Sequence, residues 1–233
     1  MIITESNISQ FSYDIIICGS GPAGVSLALD LEKKGIKSII IEAGDKFYND
    51  TSQKIYEGEV NGNFPSDLSL LRLSQFGGTT GHWGGTCRHL DEYDFTNWPL
   101  NKKQLENYKI TTNKFLELKT NFGEKKISNN LKIIEFYNSE VRVFEKYFKH
   151  IEESKNIFLI LNTSITEIFL KDKIVESILI KTPSEEKKIK SKILVMACGG
   201  IENVRLLLWF REKINFYLKN HQLVNIGWNI HLR

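Results

Sequence analysis

The stretch from Tyr13 to Glu42 limits what this chain can fold into more than any other. It opens on YDIIIC, a short apolar run rich in β-branched residues, which reads as a strand buried on both faces. The run passes straight into Gly19-Ser20-Gly21-Pro22-Ala23-Gly24. The segment VSLALDLEKKG follows with helical spacing, its Val25, Leu27, Ala28 and Leu31 turned inward and Gly35 placed to end it. A second apolar run, Ser38 to Ile41, closes on Glu42 and Ala43. Strand, glycine turn, helix, strand and terminal acid make a complete dinucleotide-binding unit. Gly19 permits the tight turn, Gly21 lets a pyrophosphate approach the main chain, and Gly24 lets helix and strand pack closely. The helix start offers free amides and partial positive charge to phosphates. Glu42 is placed to accept the hydroxyls of an adenosine ribose, and its charge disfavours a 2′-phosphate and so NADP. The unit alone leaves FAD and NAD both open.

A second segment is harder to place in an ordinary core strand or solvent loop. FGGTTGHWGGTCRH, residues 76–89, holds two glycine pairs on either side of His82 and Trp83. Bare backbone of this kind suits a large flat group pressed against main chain. Further on, Phe158–Leu161, Ile165–Leu170 and Ile174–Lys181 read as short strands, with polar turns at 171–173 and 183–187. Ile193–Ala197 (ILVMA) reads as another buried strand, ending in Cys198-Gly199-Gly200. The spacing therefore predicts an α/β fold: a Rossmann-type domain with a parallel central sheet holding both 13–18 and 193–197, and a small antiparallel layer over about 165–189. Val141, Phe144, Phe148 and Ile151 recur at helical spacing and read as a core stripe.

Composition excludes several other classes. A net charge of +3 is too small and scattered for a nucleic-acid surface, and no apolar run approaches the length of a membrane span. Three cysteines, Cys18, Cys87 and Cys198, form neither an even disulfide set nor a metal-ligand spacing. With no basic segment followed by an apolar run at the start, the chain is expected in the cytoplasm.

Four stretches in order carry a family resemblance: CGSGPAG with Glu42, FGGTTGHWGG, DEYDFTNWPLNKKQLENY, and LVMACGGIENVRLLL. Together they resemble the N-terminal, FAD-binding half of a glucose–methanol–choline (GMC) oxidoreductase, a flavoprotein family acting mainly on alcohols and sugars. The resemblance implies FAD as cofactor and hydride transfer from a substrate CH–OH group to the flavin. It implies that Gly77 and Gly78 form a turn along the flavin, that Thr79 and Thr80 offer hydroxyls and amides, that Trp83 walls the site, and that Gly84 clears space beyond. Choline and pyranose oxidases in the family carry a flavin-linked histidine at the position of His82. That makes His82 a candidate attachment residue, with local packing beside the ring as the plainer alternative. Ile165 matches a backbone contact to adenine. Ala197, Cys198 and Gly199 match the strand end near the ribose and pyrophosphate, where Cys198 serves as a small residue. Asn203 matches a helix residue near the cofactor, and Arg205 is as readily structural.

On this reading 1–233 is one FAD-binding domain. It comprises a dinucleotide unit at 11–45, a flavin-contact segment at 72–98, a helical insertion at 99–153 and a return to the fold at 154–210. The family's catalytic histidine lies in a later segment. The closing GWNIHLR matches that region only in part, so no catalytic residue is assigned here, His231 included. The expected partners are FAD, a small alcohol or sugar, and a second chain supplying the catalytic half if the enzyme is split. A non-catalytic flavin-binding remnant is the alternative.

Overall fold

The computed structural model describes residues 1–59, 67–96, 98–119, 122–172, 174–190 and 193–210. The GWNIHLR stretch, with Trp228 and His231, lies outside them, as does Lys173 of the expected turn. In chain order the first elements are β1 (Ile15–Cys18), α1 (Pro22–Glu32), β2 (Ser38–Ile41) and α2 (Asp50–Gln53). Then come β3 (Thr86–Cys87), α3 (Lys102–Glu106), α4 (Lys109–Phe115), β4 (Glu124–Ser128), β5 (Leu131–Ile134) and β6 (Tyr137–Asn138). The last part holds α5 (Val143–Lys146), α6 (Phe148–Glu153), β7 (Ile157–Ile160), β8 (Ser164–Lys171), β9 (Ile174–Lys181), β10 (Glu186–Lys190), β11 (Leu194–Met196) and α7 (Gly200–Trp209). The described residues form two compact units, one of Met1–His82 with 142–210, the other of Trp83–Val141.

The first unit is built on a four-stranded parallel sheet in the order β11-β1-β2-β7. Ile16 pairs with both Ile39 and Leu194, which brings the two ends of the described chain into one sheet. Ile16, Ile17, Ile39, Ile40, Ile157 and Leu159 are fully buried, as strands covered on both faces require. The run at 157–160, expected from sequence as a short strand with no partner assigned, joins the parallel sheet beside β2. The physical difference is plain: IFLI is apolar and buried at every position, while only Ile165 and Ile168 of β8 are buried. Asn162, at φ 52°, turns the chain between them. β11 is half-buried where a fully buried strand was expected, since its described neighbour is β1 alone. The antiparallel layer falls where the turns placed it, as β10-β9-β8, with Ile168, Ile178, Ile180 and Ile189 on its buried side.

The second unit departs from the expected helical insertion. α3 starts on a reciprocal cap, Asn101 accepting from the Gln104 amide while the Gln104 side chain accepts from Asn101. After α4, however, EKKIS and LKII pair as the β4–β5 hairpin, and Thr86–Cys87 pair with Tyr137–Asn138. Two adjacent asparagines between the runs supply turn chemistry that outweighs any helical preference. Of the proposed stripe, Val141, Phe148 and Ile151 are buried. It is no single helix, because the helical run breaks at Tyr147 and Val141 precedes it.

Candidate cofactor site

β1 ends at Cys18, and the chain turns at Gly19, whose φ of +98° suits glycine. The Gly19 amide donates to Ile41 O at 2.8 Å, tying the turn to the end of β2. Gly24, one turn into α1, meets that loop so closely that a β-carbon on it would lie 2.0 Å from Gly19 O. This contact holds the start of α1 over the strand end. No side chain caps α1, whose N-cap is Gly21, or α7, whose N-cap is Gly199. Both uncapped starts open onto one cavity of about 360 Å³, so two sets of free amides and two positive dipole ends face the same space. That arrangement suits an anion such as a pyrophosphate.

Glu42 is buried at the cavity floor. One carboxylate oxygen accepts from the Ser20 amide (2.9 Å) and hydroxyl (2.6 Å), the other from the Gly44 amide (2.8 Å). Burial pushes its carboxyl above the ordinary range, against the pull of these bonds. They fill three of the roughly four acceptor positions of a carboxylate, which leaves one for a ribose hydroxyl. Glu42 thus braces the glycine turn, a role its sequence position did not reveal.

A charged cluster borders the same cavity. Glu202, in the first turn of α7, takes Arg72 at 2.8 Å on one oxygen and Arg205 at 2.8 Å on the other. The Arg72 guanidinium lies 4.0 Å from the centre of the Tyr56 ring. Arg72 and Tyr56 had no motif to announce them, since they stand far apart from Glu202 in sequence and the cluster forms only through the fold. Two arginines on one carboxylate leave a net positive charge at the cavity edge.

Of the residues singled out from sequence, the cavity is lined by Gly19, Ser20, Gly21, Pro22, Ala23, Glu42, Ala43, Gly78, Thr79, Ile165, Ala197, Cys198 and Gly199. Gly24 lies beneath, packed as described. Asn203 stands behind the lining, its side chain accepting from the Cys198 amide (2.9 Å) and donating to Met196 O (3.2 Å). The bare backbone at 77–78 has a protein cause. The Gly77 amide donates to Ser20 O at 3.2 Å, and a β-carbon on Gly77 would come 2.7 Å from the Phe144 amide. Thr80 is buried with its hydroxyl donating to Gly77 O (2.7 Å) and accepting from the Val143 amide (3.2 Å), so it braces this loop and does not face the cavity. His82 is exposed and outside the lining. Trp83 and Gly84 belong to the second unit, where the Trp83 indole donates to Val141 O at 3.2 Å. Among the described residues no cluster of histidine, cysteine and carboxylate side chains could hold a metal ion, and no helix is long and apolar enough to cross a membrane.

The model of the pyridine nucleotide-disulphide oxidoreductase family matches residues 13–208. No curated protein matches the chain. Among solved structures, pyridoxine 4-oxidase from Mesorbium loti is similar with a TM-score of 0.55 at 14% identity, over 84% of this chain and 51% of that one. The present chain thus spans about half of that protein, and at such identity the likeness is one of fold. A triple mutant of the flavin-dependent brominase Bmp2 matches over 87% of this chain and 42% of its own at 17% identity, with a TM-score of 0.39 that carries no argument. With the match running from β1 into α7, the chain belongs to the pyridine nucleotide-disulphide oxidoreductase family, whose members are flavin-binding oxidoreductases.

Proposed function

We propose that the first unit binds FAD and that the chain is the cofactor-binding portion of an oxidoreductase acting on the CH–OH group of an alcohol or sugar in the cytoplasm. The observation that carries the cofactor reading is the convergence of two uncapped helix starts and buried Glu42 on one cavity. In it, the amides at Gly21 and Gly199 would hold the pyrophosphate and Glu42 would take a ribose hydroxyl. Ile165 would meet adenine by its backbone, and the Arg72–Glu202–Arg205 cluster would add positive charge nearby. FAD, once bound, supplies hydride acceptance. Support for an alcohol substrate comes from the GMC-like stretches and from a neighbour of the same fold named for oxidation of pyridoxine.

No residue of this chain is given the part of the substrate base. A flavin-binding remnant, or one half of a split enzyme, is therefore the second reading, and the 51% coverage of the neighbour favours keeping it. The test is to titrate the purified chain with FAD, ADP and NADP, following flavin fluorescence and its displacement. FAD should bind, ADP should compete, and NADP should compete far more weakly because its 2′-phosphate meets Glu42. Equal competition by NADP would overturn the cofactor reading. Loaded chain is then mixed anaerobically with alcohols and aldoses. Without a base, a loss of about 10²–10⁴-fold is expected, so bleaching should be slow or absent. Rapid bleaching would show that the chain is catalytically complete.

A further inference from the structure

Two adjacent parallel strands each deliver a cysteine to the cavity floor. Cys18 closes β1, and Cys198 follows β11 by two residues. The strands pair Cys18 with Met196, and the Ala197 amide donates to Cys18 O at 2.7 Å. The chain then bends so that the Cys198 sulfur lies 3.2 Å from Cys18 O and 3.2 Å from the Cys18 sulfur. Asn203 fixes the bend by bonding on both sides of it, to the Cys198 amide and to Met196 O. A disulfide needs sulfurs about 2.05 Å apart, so closure requires a shift of little more than ~1 Å. Both thiols line the cavity; Cys18 is buried and Cys198 half-buried. Cys87, in the other unit, has its own bond to Gly85 O at 3.2 Å.

We propose that Cys18 and Cys198 form an oxidisable dithiol, which a hydroperoxide converts to a disulfide when the cavity is empty and which a bound dinucleotide shields. Cys198, the more accessible, is the first target. Its thiolate attacks the peroxide O–O bond, giving a sulfenic acid and releasing water, or an alcohol from an organic peroxide. The Cys18 sulfur then attacks the sulfenic sulfur, its proton leaving with the hydroxyl as a water. In sum, two thiols and one hydroperoxide give one disulfide, one water from the second step, and one water or alcohol from the first. The bond with Cys198, and then burial, hold the Cys18 thiol well above the ordinary cysteine range, which suits a resolving partner better than a first nucleophile. The site differs from a structural disulfide in that both sulfurs sit under the phosphate turn, where the cofactor would cover them.

Disulfide formation stands without the proposed cofactor; the shielding rests on it. The flavin-free full chain is reduced, treated with hydrogen peroxide, quenched with iodoacetamide, and read by intact mass and a non-reducing peptide map. The expected product carries a Cys18–Cys198 link and one alkylated cysteine, Cys87. The Cys87→Ser variant should link at the same rate, and Cys198→Ser should not link. Three alkylated cysteines, or Cys198 oxidised to the sulfinic acid without a link, would overturn the pairing. In a parallel arm, FAD at about 100 times its separately titrated Kd should slow linking by about 100-fold, since only the empty form reacts. Unslowed linking with FAD demonstrably bound would overturn the shielding. If FAD does not bind, the cofactor reading falls and the shielding with it, while a linked product keeps the dithiol.

Discussion

Replacing Glu42 by glutamine changes one atom type in a buried site and gives a sharp test of its bracing role. The carboxylate accepts from the Ser20 amide and hydroxyl on one oxygen and from the Gly44 amide on the other. A glutamine amide keeps one acceptor oxygen and turns a donor toward the other position. If the oxygen faces Ser20, the buried Gly44 N–H meets another N–H and is left unpaired; the reverse orientation strands the Ser20 amide. An orphaned buried amide costs about 1–3 kcal/mol. Loss of charge assistance in the remaining bonds adds to this, and release from burying a charge subtracts. We expect Glu42→Gln to lower stability by about 1–3 kcal/mol, which for a chain of this size is roughly 2–12 °C in Tm. The assay is urea unfolding of the flavin-free chain followed by circular dichroism at pH 8, with hydrogen exchange at single amides. The Gly44 or Ser20 amide should lose protection beyond the global change. An unchanged midpoint with unchanged exchange at both would refute the bracing role, and a stabilised variant would mean that charge burial outweighs all three bonds.

Other perturbations test neighbouring claims. Because burial raises the Glu42 carboxyl in the folded chain above its ordinary 4.5, the folded state holds the proton more tightly. Its contribution is then full below pH 4.5 and is lost as pH rises through the raised folded value; Glu42→Gln should lack that slope in urea midpoints taken across pH. Gly24→Ala puts a β-carbon 2.0 Å from backbone Gly19 O and should cost about 1–3 kcal/mol or more, read as the same midpoint; a neutral result would mean that α1 shifts freely. Arg72→Ala removes one of two partners of buried Glu202 and the stacking on Tyr56, so a loss of about 1–3 kcal/mol is expected, short of the full cost of a stranded charge because Arg205 remains. With His82 exposed and outside the cavity lining, acid precipitation of flavin-loaded chain should leave the flavin in solution; a yellow pellet would reinstate a covalent bond.

The parallel core was legible because local signals and burial agree there. YDIIIC, the glycine turn and SIII on Glu42 each require the others, and the all-apolar runs can only be strands covered on both faces. Sequence reading fell short where pairing depends on distant partners. IFLI at 157–160 reads as a strand, but nothing within the run says that it lies beside β2. EKKISNNLKII holds too few apolar residues to declare a period, and its hairpin is exposed. At the site, Gly19 to Gly24 could be read because glycine spacing reports backbone geometry directly. Tyr56, Arg72 and the contact between Cys18 and Cys198 could not, since residues far apart in sequence leave no joint pattern in a single chain.

The pairing of Ile16 with Leu194 also sets a schedule for folding. β1, α1 and β2 are made first and can associate locally, but one edge of β1 stays bare until nearly all the described chain exists. Closing a loop of that length costs on the order of 4–5 kcal/mol in chain entropy by simple polymer scaling, before any contact of β11 repays it. Such distant contacts slow folding. Ala197, Cys198, Gly199 and the start of α7 arrive with β11, so the cavity takes shape only at that late step. A ligand that bridges both helix starts would hold the last strand to the first and act as a latch on the finished sheet.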